Sequence, residues 1–386
     1  MSDKKPPFDL NLVEIPASRE PVSLLAVDRA TSELRRGRVV AIRGNNGAAV
    51  VAQAAEGLDA KSFEQLAALS GGTPALTITA RRAAVLGLPE PAGKTVTLIT
   101  EPPLSVETAL AIADPLADFD LGALKVSSRD AQTYDSESAA VTLAKLARLL
   151  PSAVTAPVQA PDAEDLARWA LRHNVVLIDA GDIFQYERTA ARSLRIVSEA
   201  RVPLADAEDS RIVAFRPQDG GIEHLAIVIG SPDPAGPVLA RIHSECFTGD
   251  LLGSLRCDCG DQLRGAIAEI SAAGAGVLLY LAQEGRGIGL VNKLRAYTLQ
   301  DDGFDTIDAN EQLGFDADER VFLPAARMLQ VLGFESVELM TNNPLKVSGL
   351  EACGVTVTER VAHAFPSNKH NEGYLRTKAA RGGHLF

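Results

Sequence analysis

The 386-residue sequence predicts an α/β protein of two domains. Its length exceeds the roughly 100–200 residues at which single hydrophobic cores usually divide. Hydrophobic residues make up 46% of the chain and charged residues 23%, which is typical of a globular protein that buries sizeable cores. Amphipathic helical segments also alternate with short apolar strands along most of the chain, and this order is characteristic of α/β folds.

The first half of the chain repeats this alternation. The segment AVDRATSELRRGRVVAI predicts an amphipathic helix that ends at Gly37 and leads into a buried strand over 39–42. A helix, a Gly-rich turn and a strand follow in FEQLAALSGGTPALTIT, and DAEDLARWALRHNVVLID places a helix around Trp169 before a strand over 175–178. We expect a flexible lead-in at 1–20 and an α/β domain at 21–192.

The second half begins with a different pattern. Between residues 188 and 241, RIVAF and HLAIVIG are separated by the turn sequences RPQDGG and SPDPAGP, which predicts antiparallel strands. Later, QLRGAIAEISAAG precedes VLLYLA and PAARMLQVLG precedes SVELM, so helices and strands alternate again. We expect a second α/β domain with a β-rich entry at 193–386, and a ligand site in the loops at its strand ends.

The overall charge restricts the partners of the chain. The formal net charge is −12, which disfavours loose binding to nucleic acid or to an anionic membrane surface. The N-terminal sequence lacks the apolar core of a secretory signal, and no apolar run approaches the ~18 residues of a membrane span. We therefore expect a cytoplasmic protein that holds any anionic ligand through local donors.

Three of the four cysteines lie within 14 residues, in CFTGDLLGSLRCDC. A close cysteine group in a reducing compartment is typical of a metal or catalytic site. Three thiolate ligands with an open position are characteristic of catalytic zinc, so Cys246, Cys257 and Cys259 favour that reading. A structural zinc with His243 or Asp258 as fourth ligand, and three unrelated core cysteines, remain alternatives. The distant Cys353 is expected to be a packing residue.

Several ordered motifs closely resemble the GTP cyclohydrolase II family over residues 193–386: RIHSECFTGDLLGSLRCDCGDQL, LAQEGRGIGLVNKLRAYTLQDDGFDTIDANEQLGFDADER and MTNNPLKV. The resemblance implies a hydrolase that opens the imidazole ring of GTP, releases formate and pyrophosphate, and leaves a diaminopyrimidinone ribosylamine phosphate for riboflavin biosynthesis. It also implies one Zn²⁺ per subunit, Mg²⁺ with the triphosphate, and a homodimer.

The same resemblance assigns roles to individual residues. It makes Cys246, Cys257 and Cys259 the zinc ligands. It makes Asp318 a proton acceptor, Arg320 a nucleophile or phosphate-activating group, and Tyr297 a residue of the ring chemistry. The implied GTP contacts are Arg241, Ile242, His243, Ser244, Glu245, Gln262, Glu284, Gly285, Arg286, Thr306, Thr341 and Lys346. Without the resemblance, the commoner interpretation of Tyr297 is a packed aromatic side chain. The commoner interpretations of DADER and EGRGIG are a solvated acidic run and a tight turn.

The N-terminal half resembles dihydroxybutanone phosphate synthase in SELRRGRVVAI, LSGGTPALTITARRAAVLGLP and ALRHNVVLIDAGDIFQY. Where that family carries an acidic loop for Mg²⁺ and ribulose 5-phosphate, this chain reads RGNNGAAVVAQAAE. Asn45, Asn46 and the alanines offer neither anionic ligands nor a general base. The Gly- and His-rich motif of the family is also missing, because PSAVTAPVQAPDAEDL stands there. We therefore expect residues 21–192 to keep the synthase fold without its activity.

The chemistry needs a nucleophile and positive charge. Zinc lowers the pKa of its bound water to about 7, which suits hydrolysis of the guanine ring carbon. Arg241, Arg286, Arg320 and Lys346 are the cations expected around the triphosphate. Because arginine normally stays protonated, charge stabilisation by Arg320 is favoured over covalent attack, which stays open. Alternatives are a bifunctional enzyme with an active synthase, an enzyme that stops at the formylated intermediate, and a nucleotide-sensing zinc protein without turnover.

Overall fold

The structure is a computed structural model that describes residues 22–45, 47–89, 92–117, 122, 124–132, 134–158, 165–366 and 369–371, together with 377, 379, 381 and 383. The expected lead-in at 1–20, Asn46 and part of the PSAVTAPVQAPDAEDL segment lie outside the described residues. The chain forms two compact units. We call "first unit" the described residues up to Tyr186 together with Ile288–Glu319, and "second unit" Glu187–Gly287 together with the described residues from Arg320 onward.

The first unit is built on a seven-stranded sheet with the order β5-β4-β3-β6-β2-β1-β7. Its strands are β1 (Val40–Arg43), β2 (Ala49–Ala54), β3 (Ala75–Thr79), β4 (Thr95–Glu101), β5 (Lys125–Ala131), β6 (Ser152–Pro157) and β7 (Val176–Asp179). Only the edge strand β7 runs parallel to its neighbour β1, and the other described pairs are antiparallel.

Helices cover this sheet and follow from local sequence. They are α1 (Val22–Arg35), α2 (Ala60–Leu69), α3 (Ala80–Val85), α4 (Val106–Ala113), α5 (Ser136–Leu146), α6 (Leu166–Arg172) and α7 (Ala180–Arg192), which crosses the division between the units. The side chain of Asp59 accepts the N–H of Ser62 in a capping box that starts α2. Gly37, at a φ of 69°, follows α1 in the left-handed conformation that suits a helix end.

The second unit also contains a seven-stranded sheet, with the order β14-β13-β11-β12-β10-β9-β8. Its strands are β8 (Arg195–Arg201), β9 (Ser210–Arg216), β10 (His224–Ile229), β11 (Val238–Ser244), β12 (Gly276–Leu281), β13 (Ser336–Met340) and β14 (Thr356–Val361). The first three are antiparallel, and β11 to β14 are mutually parallel where they pair. The carboxyl ends of β11, β12 and β13 therefore meet at one edge of the sheet.

The remaining helices are α8 (Cys259–Ala273), α9 (Leu290–Asp301), α10 (Thr306–Gln312), α11 (Leu323–Val331) and α12 (Pro344–Ala352). Of these, α8, α11 and α12 belong to the second unit, whereas α9 and α10 belong to the first. The core of the second unit joins apolar side chains of its sheet to those of α11, including Val213, Phe215, Leu279, Met328 and Leu339. The site loops are thus anchored on a closed apolar core.

The predicted α/β class is confirmed, and the quoted segments form the expected elements. The helix before Gly37, the helix around Trp169 and the antiparallel strands after residue 188 are all present. Compact packing does not follow the single division expected near residue 192, because the chain changes unit at Glu187 and again at Ile288 and Arg320. Contacts between residues far apart in sequence produce this pattern, which a single cut cannot represent. Among the described residues, no helix is long and apolar enough to cross a membrane.

Candidate metal centre and active site

The three clustered cysteines come together at the carboxyl ends of β11 and β12. Cys246 follows β11 by two residues, and the N–H of Glu245 donates to the carbonyl of Leu281 at the end of β12 (2.8 Å). Cys257 precedes α8 and Cys259 begins it. The three sulfur atoms lie within 4.8 Å of one another. Among the residues that the structure describes, this is the one group of three His, Cys, Asp or Glu side chains near enough to share a metal ion.

The geometry of the cluster fits zinc. Two thiolates on a tetrahedral zinc, each at about 2.3 Å, stand roughly 3.8 Å apart. The Sγ atoms of Cys246 and Cys257 are 3.7 Å apart. A side chain at Gly249 would fill this space, since an added Cβ would lie 2.8 Å from Cys257 Sγ and 3.0 Å from Cys246 Sγ. The donor set therefore suits a thiophilic ion held by three protein ligands.

Two of the three clustered thiols, those of Cys257 and Cys259, have a raised pKa. The hydrogen bond with Cys246 is the largest cause that raises the pKa of Cys257 to about 11. Hydrogen bonding to Cys246 likewise raises the pKa of Cys259, followed by the effects of Cys257 and of burial. Thiols with a raised pKa must release their protons when a metal cation binds. Metal affinity is therefore expected to increase with pH.

A short π-helical turn, Phe247–Leu251, positions the first of these cysteines. Its Asp250 carboxylate accepts hydrogen bonds from the N–H of Cys246 (3.0 Å) and the hydroxyl of Tyr280 (2.9 Å), and lies 3.0 Å from His243 Nε2. The rings of His243 and Tyr280 are stacked with centroids 5.6 Å apart. Burial is the largest cause that lowers the pKa of His243 and that raises the pKa of Tyr280. Asp250 therefore links β11 and β12 to the turn that follows Cys246.

Glu284 holds the first residue of the same turn. Its side chain is buried, and its carboxylate accepts the N–H of Phe247 (2.6 Å) and the N–H of Gly285 (2.9 Å). Gly285 and Arg286 both adopt the left-handed conformation, with φ of 63° and 62°. Because a non-glycine residue rarely adopts this conformation, the loop presents Arg286 at some cost in backbone energy.

A second polar chain runs from β11 to the start of α8. Arg241 is only 4% exposed, and its guanidinium donates to the carbonyl of Met340 (2.9 Å) and to the side chain of Gln262 (2.5 Å). Gln262 in turn donates to Asp258 (2.5 Å), which lies between two of the cysteines in sequence. Burial lowers the pKa of Arg241 to about 10, so this side chain still carries positive charge at neutral pH.

The end of β13 completes this edge of the sheet. Thr341 Oγ1 accepts the N–H of Asn343, and the buried Lys346 donates from Nζ to the carbonyl of Ile242 on β11 (2.8 Å). Asn342 is paired with the backbone of His363 through both its amide nitrogen (2.7 Å) and its oxygen (3.0 Å). The predicted contact residues of the second unit therefore share the strand ends that hold the thiol cluster.

The predicted site residues divide between the two units. The second unit contains the three cysteines, Arg320 and most of the implied GTP contacts, namely Arg241, Ile242, His243, Ser244, Glu245, Gln262, Glu284, Gly285, Arg286, Thr341 and Lys346. The first unit contains Tyr297 on α9, Thr306 at the start of α10, and Asp318. Asp318 and Arg320, two residues apart in sequence, lie on either side of the division.

Two important residues were missed by reasoning from the sequence. Asp250 lies four residues after Cys246, a spacing that would have indicated a contact if the turn had been expected to be helical. Tyr280 pairs with His243 across neighbouring parallel strands, and only the register of those strands shows it. The sequence offered His243 as an alternative fourth zinc ligand and as an implied GTP contact, but its pairing with Asp250 was not predicted.

Fold and site together define an α/β protein with a group of three cysteines that could hold a metal ion at the carboxyl ends of its parallel strands. A GTP cyclohydrolase II family model matches residues 195–362. A GTP cyclohydrolase-2 from Azospirillum brasilense is 54% identical over all of this chain and 98% of its own length. A second, from Xylella fastidiosa strain Temecula1, is 39% identical over 92% of this chain and 86% of its own. The chain belongs to the GTP cyclohydrolase II family.

Other similar proteins carry different names. A riboflavin biosynthesis protein RibBA from Salinispora tropica is 45% identical over 64% of this chain and 63% of its own length. Among solved structures, RibBX, a two-domain 3,4-dihydroxy-2-butanone 4-phosphate synthase from A. baumannii, aligns over 87% of this chain and 99% of its own, with 19% identity and a TM-score of 0.37. A TM-score that low does not establish a shared fold.

Proposed function

We propose that this enzyme hydrolytically opens the imidazole ring of GTP and releases formate and pyrophosphate, as a step of riboflavin biosynthesis. One observation carries the proposal: a member of the GTP cyclohydrolase II family gathers Cys246, Cys257 and Cys259 within 4.8 Å at the carboxyl ends of parallel strands. These three thiolates would hold zinc. When bound, zinc supplies Lewis acidity that makes water a competent nucleophile at neutral pH.

The residues around the cluster supply orientation and positive charge. Asp250 fixes the backbone of Cys246 and the ring of His243, so the first thiolate has a defined direction. Arg241 is almost fully buried, unlike an arginine that binds phosphate at a protein surface. It would act by holding Gln262 through a hydrogen bond and by adding positive charge near the site. Arg286 and Arg320 are partly exposed and would neutralise the triphosphate.

Three residues have proposed chemical roles that rest on the family resemblance. The phenol of Tyr297 would orient water or transfer a proton during ring opening and deformylation. The carboxylate of Asp318 would accept a proton, and Arg320 would stabilise charge on the α-phosphate. Mg²⁺ with the triphosphate and a homodimer also stay predictions of that resemblance, and a cytoplasmic location stays a prediction from the sequence itself.

We also propose that the first unit has no synthase activity. The turn between β1 and β2 contains Asn45 where an acidic loop is expected, and Gly44 closes it by donating its N–H to the carbonyl of Ala48 (2.7 Å). Neither residue can act as a general base or as an anionic ligand of Mg²⁺. The bifunctional alternative therefore lacks the groups that its second reaction requires.

Product analysis by mass spectrometry tests the main proposal. Zinc-loaded protein with GTP and Mg²⁺ should release formate and pyrophosphate in equal amounts. Cys257→Ser should abolish both products, whereas Cys353→Ser, a matched change outside the cluster, should leave them unchanged. Pyrophosphate without formate would indicate an enzyme that stops at the formylated intermediate, in which the ring is open and the formyl group has not been hydrolysed. Intact GTP would overturn the proposal and favour a nucleotide-sensing protein.

A further inference from the structure

The segment Ile288–Glu319 packs with residues that precede the family region. The family model begins at residue 195, so this segment lies inside the matched region. Its helices α9 and α10 nevertheless belong to the compact unit formed by the described residues up to Tyr186. The segment carries Tyr297, Thr306 and Asp318, three of the residues assigned to the reaction. The first unit thus contains both a synthase-like sheet and part of the proposed cyclohydrolase machinery.

Hydrogen bonds from buried side chains fix the end of α10 to the last residue of β3 and to α3. The hydroxyl of Thr79 donates to the carbonyl of Gly314 (2.6 Å). The guanidinium of Arg82 donates from Nη1 to the carbonyl of Gln312 (3.0 Å) and from Nε to the carbonyl of Ile112 (2.9 Å). Thr79 and Arg82 are only 5% and 6% exposed. Buried donors of this kind are costly to leave unpaired, so these contacts specify one position for the segment.

A partly buried ion pair fixes α9. Glu56 lies 3.1 Å from the guanidinium of Arg295, and the same carboxylate accepts the N–H of Leu150 (2.9 Å). Arg295 is two residues before Tyr297 on the helix. Asn292, one turn before Ala296, donates to the carbonyl of Arg148 (3.2 Å). These contacts join α9 to residues more than 140 positions earlier in the chain, at Glu56 and Arg148. Together the contacts restrain the rotation and translation of α9.

Apolar and steric contacts also pack the segment Ile288–Glu319 against the N-terminal residues. Leu150 completes a buried cluster with apolar side chains of the segment: Ile288, Ala296, Leu299, Ala309, Leu313 and Phe315. At Gly314, an added Cβ would lie 2.9 Å from Thr79 Oγ1 and 3.1 Å from Pro151. At Gly289, it would lie 3.1 Å from the side chain of Arg148. The backbone of the segment therefore approaches the N-terminal residues as closely as packing permits.

We propose that the synthase-like part of the chain is a positioning platform for α9 and α10, and that Glu56 and Thr79 are positioning residues for the ring-opening reaction. Glu56 bonds to Arg295 and Leu150, and Thr79 bonds to Gly314 and Arg82, so both act by fixing the helices that carry Tyr297 and Thr306. This inference rests on the proposed function. It gives the retained domain a role that requires no synthase chemistry, because a displacement of about 1 Å in a reacting group lowers rates by about 100-fold.

Two matched pairs of variants in the full-length, zinc-loaded protein test the inference. Glu56→Ala removes the carboxylate that lies closest to the guanidinium of Arg295, which also donates to Asn292. Glu33→Ala removes a similarly exposed carboxylate whose arginine partners, Arg36 and Arg38, lie close to it in sequence. Thr79→Val removes the hydroxyl that holds Gly314. Thr77→Val is its control, because Thr77 lies on the same strand and its hydroxyl is bonded to Thr97 (3.0 Å).

We expect Glu56→Ala and Thr79→Val to lower kcat for GTP by about tenfold with little change in KM or in zinc content. Amide hydrogen exchange in 290–312 should accelerate in both variants and in neither control. Thr79→Ser, which keeps the hydroxyl, should restore kcat; this rescue separates positioning from a general loss of stability. Should Glu56→Ala fail to fold, the Thr79 series provides the same comparison.

The outcomes distinguish the inference from the proposed function. If the wild-type protein turns over GTP while all four variants match it in kcat and in exchange, the platform is overturned. If the wild-type protein leaves GTP intact, the proposed function fails, and the exchange data still decide whether Glu56 and Thr79 hold the segment. Equal losses in a test variant and in its control would also overturn the inference, because they would show a loss that does not depend on the segment.

Discussion

At the scale of single residues, the thiol cluster depends on the absence of a side chain at Gly249. A Cβ added at this glycine would lie within 3.0 Å of the sulfur atoms of Cys257 and Cys246 and of the Cβ of Cys259, and its N–H donates to Cys246 Sγ (3.3 Å). The nearby Gly260 faces the carbonyl of Gly249 so closely that an added Cβ would lie 2.4 Å from it. Two close backbone approaches therefore make room for three thiolates in a small volume.

We predict that Gly249→Ala lowers zinc occupancy and reduces kcat/KM for GTP by at least about tenfold, because its methyl group would displace two ligand sulfurs. The measurements are zinc content after dialysis and initial rates. Gly236→Ala is the control, since no atom lies within 4 Å of the position of its added Cβ. Full zinc occupancy in Gly249→Ala would show that the ion does not occupy the space between these sulfurs.

At the scale of secondary structure elements, the turn Phe247–Leu251 connects the cluster to the sheet. Its Asp250 bonds to one group on β11, one on β12 and the backbone of Cys246. The turn is also held from outside by Glu284, which follows β12. Both carboxylates form hydrogen bonds with backbone and ring groups around Cys246. Removing either carboxylate is therefore expected to make Cys246 less well positioned, while its thiol stays in place.

We predict that Asp250→Asn weakens zinc binding or activity by roughly 10- to 100-fold, as is usual when a partner that orients a metal ligand is lost. Asn keeps the size of the side chain and loses the charge that faces His243 and Tyr280. Zinc affinity, measured by chelator competition, and rates with GTP would test this. Asp261→Asn should behave as wild type, because Asp261 lies on the exposed face of α8 and pairs with Arg264.

At the scale of the whole molecule, the two units combine residues from separate parts of the sequence. The first unit takes Ile288–Glu319 from the second half of the chain. The hydrogen bond between Thr79 and Gly314 joins residues 235 positions apart. Such contacts make the N-terminal part of the chain necessary whether or not it catalyses a reaction of its own, because its removal would leave buried groups of the segment without partners.

We predict that the full-length protein does not convert ribulose 5-phosphate to dihydroxybutanone phosphate, even with Mg²⁺ present. The loop after β1 lacks carboxylates, so the reaction has neither metal ligands nor a base there. Nuclear magnetic resonance of the sugar phosphate, with formate as the second product, would detect conversion. Turnover above the uncatalysed rate would restore the bifunctional alternative.

Local patterns in the sequence were sufficient for much of the fold. Amphipathic periodicity ending at Gly37 and the apolar alternation around Trp169 predicted helices and strands that the structure contains, because these depend on neighbouring residues. The cysteine cluster was also predictable, since Cys257 and Cys259 lie at the start of one helix and Cys246 lies only 11 positions before Cys257. The partners of Arg241 and Lys346 were not predicted, because both are backbone carbonyls on or beside other strands.

Residue types and short spacings were enough to predict the α/β class, the group of three cysteines and the resemblance to one enzyme family. Only the tertiary structure decided that Asp250 and Tyr280 support the cluster and that α9 and α10 pack with the N-terminal residues. The physical reason is that these contacts depend on strand register and on packing between residues far apart in the chain, and short spacings carry no record of either.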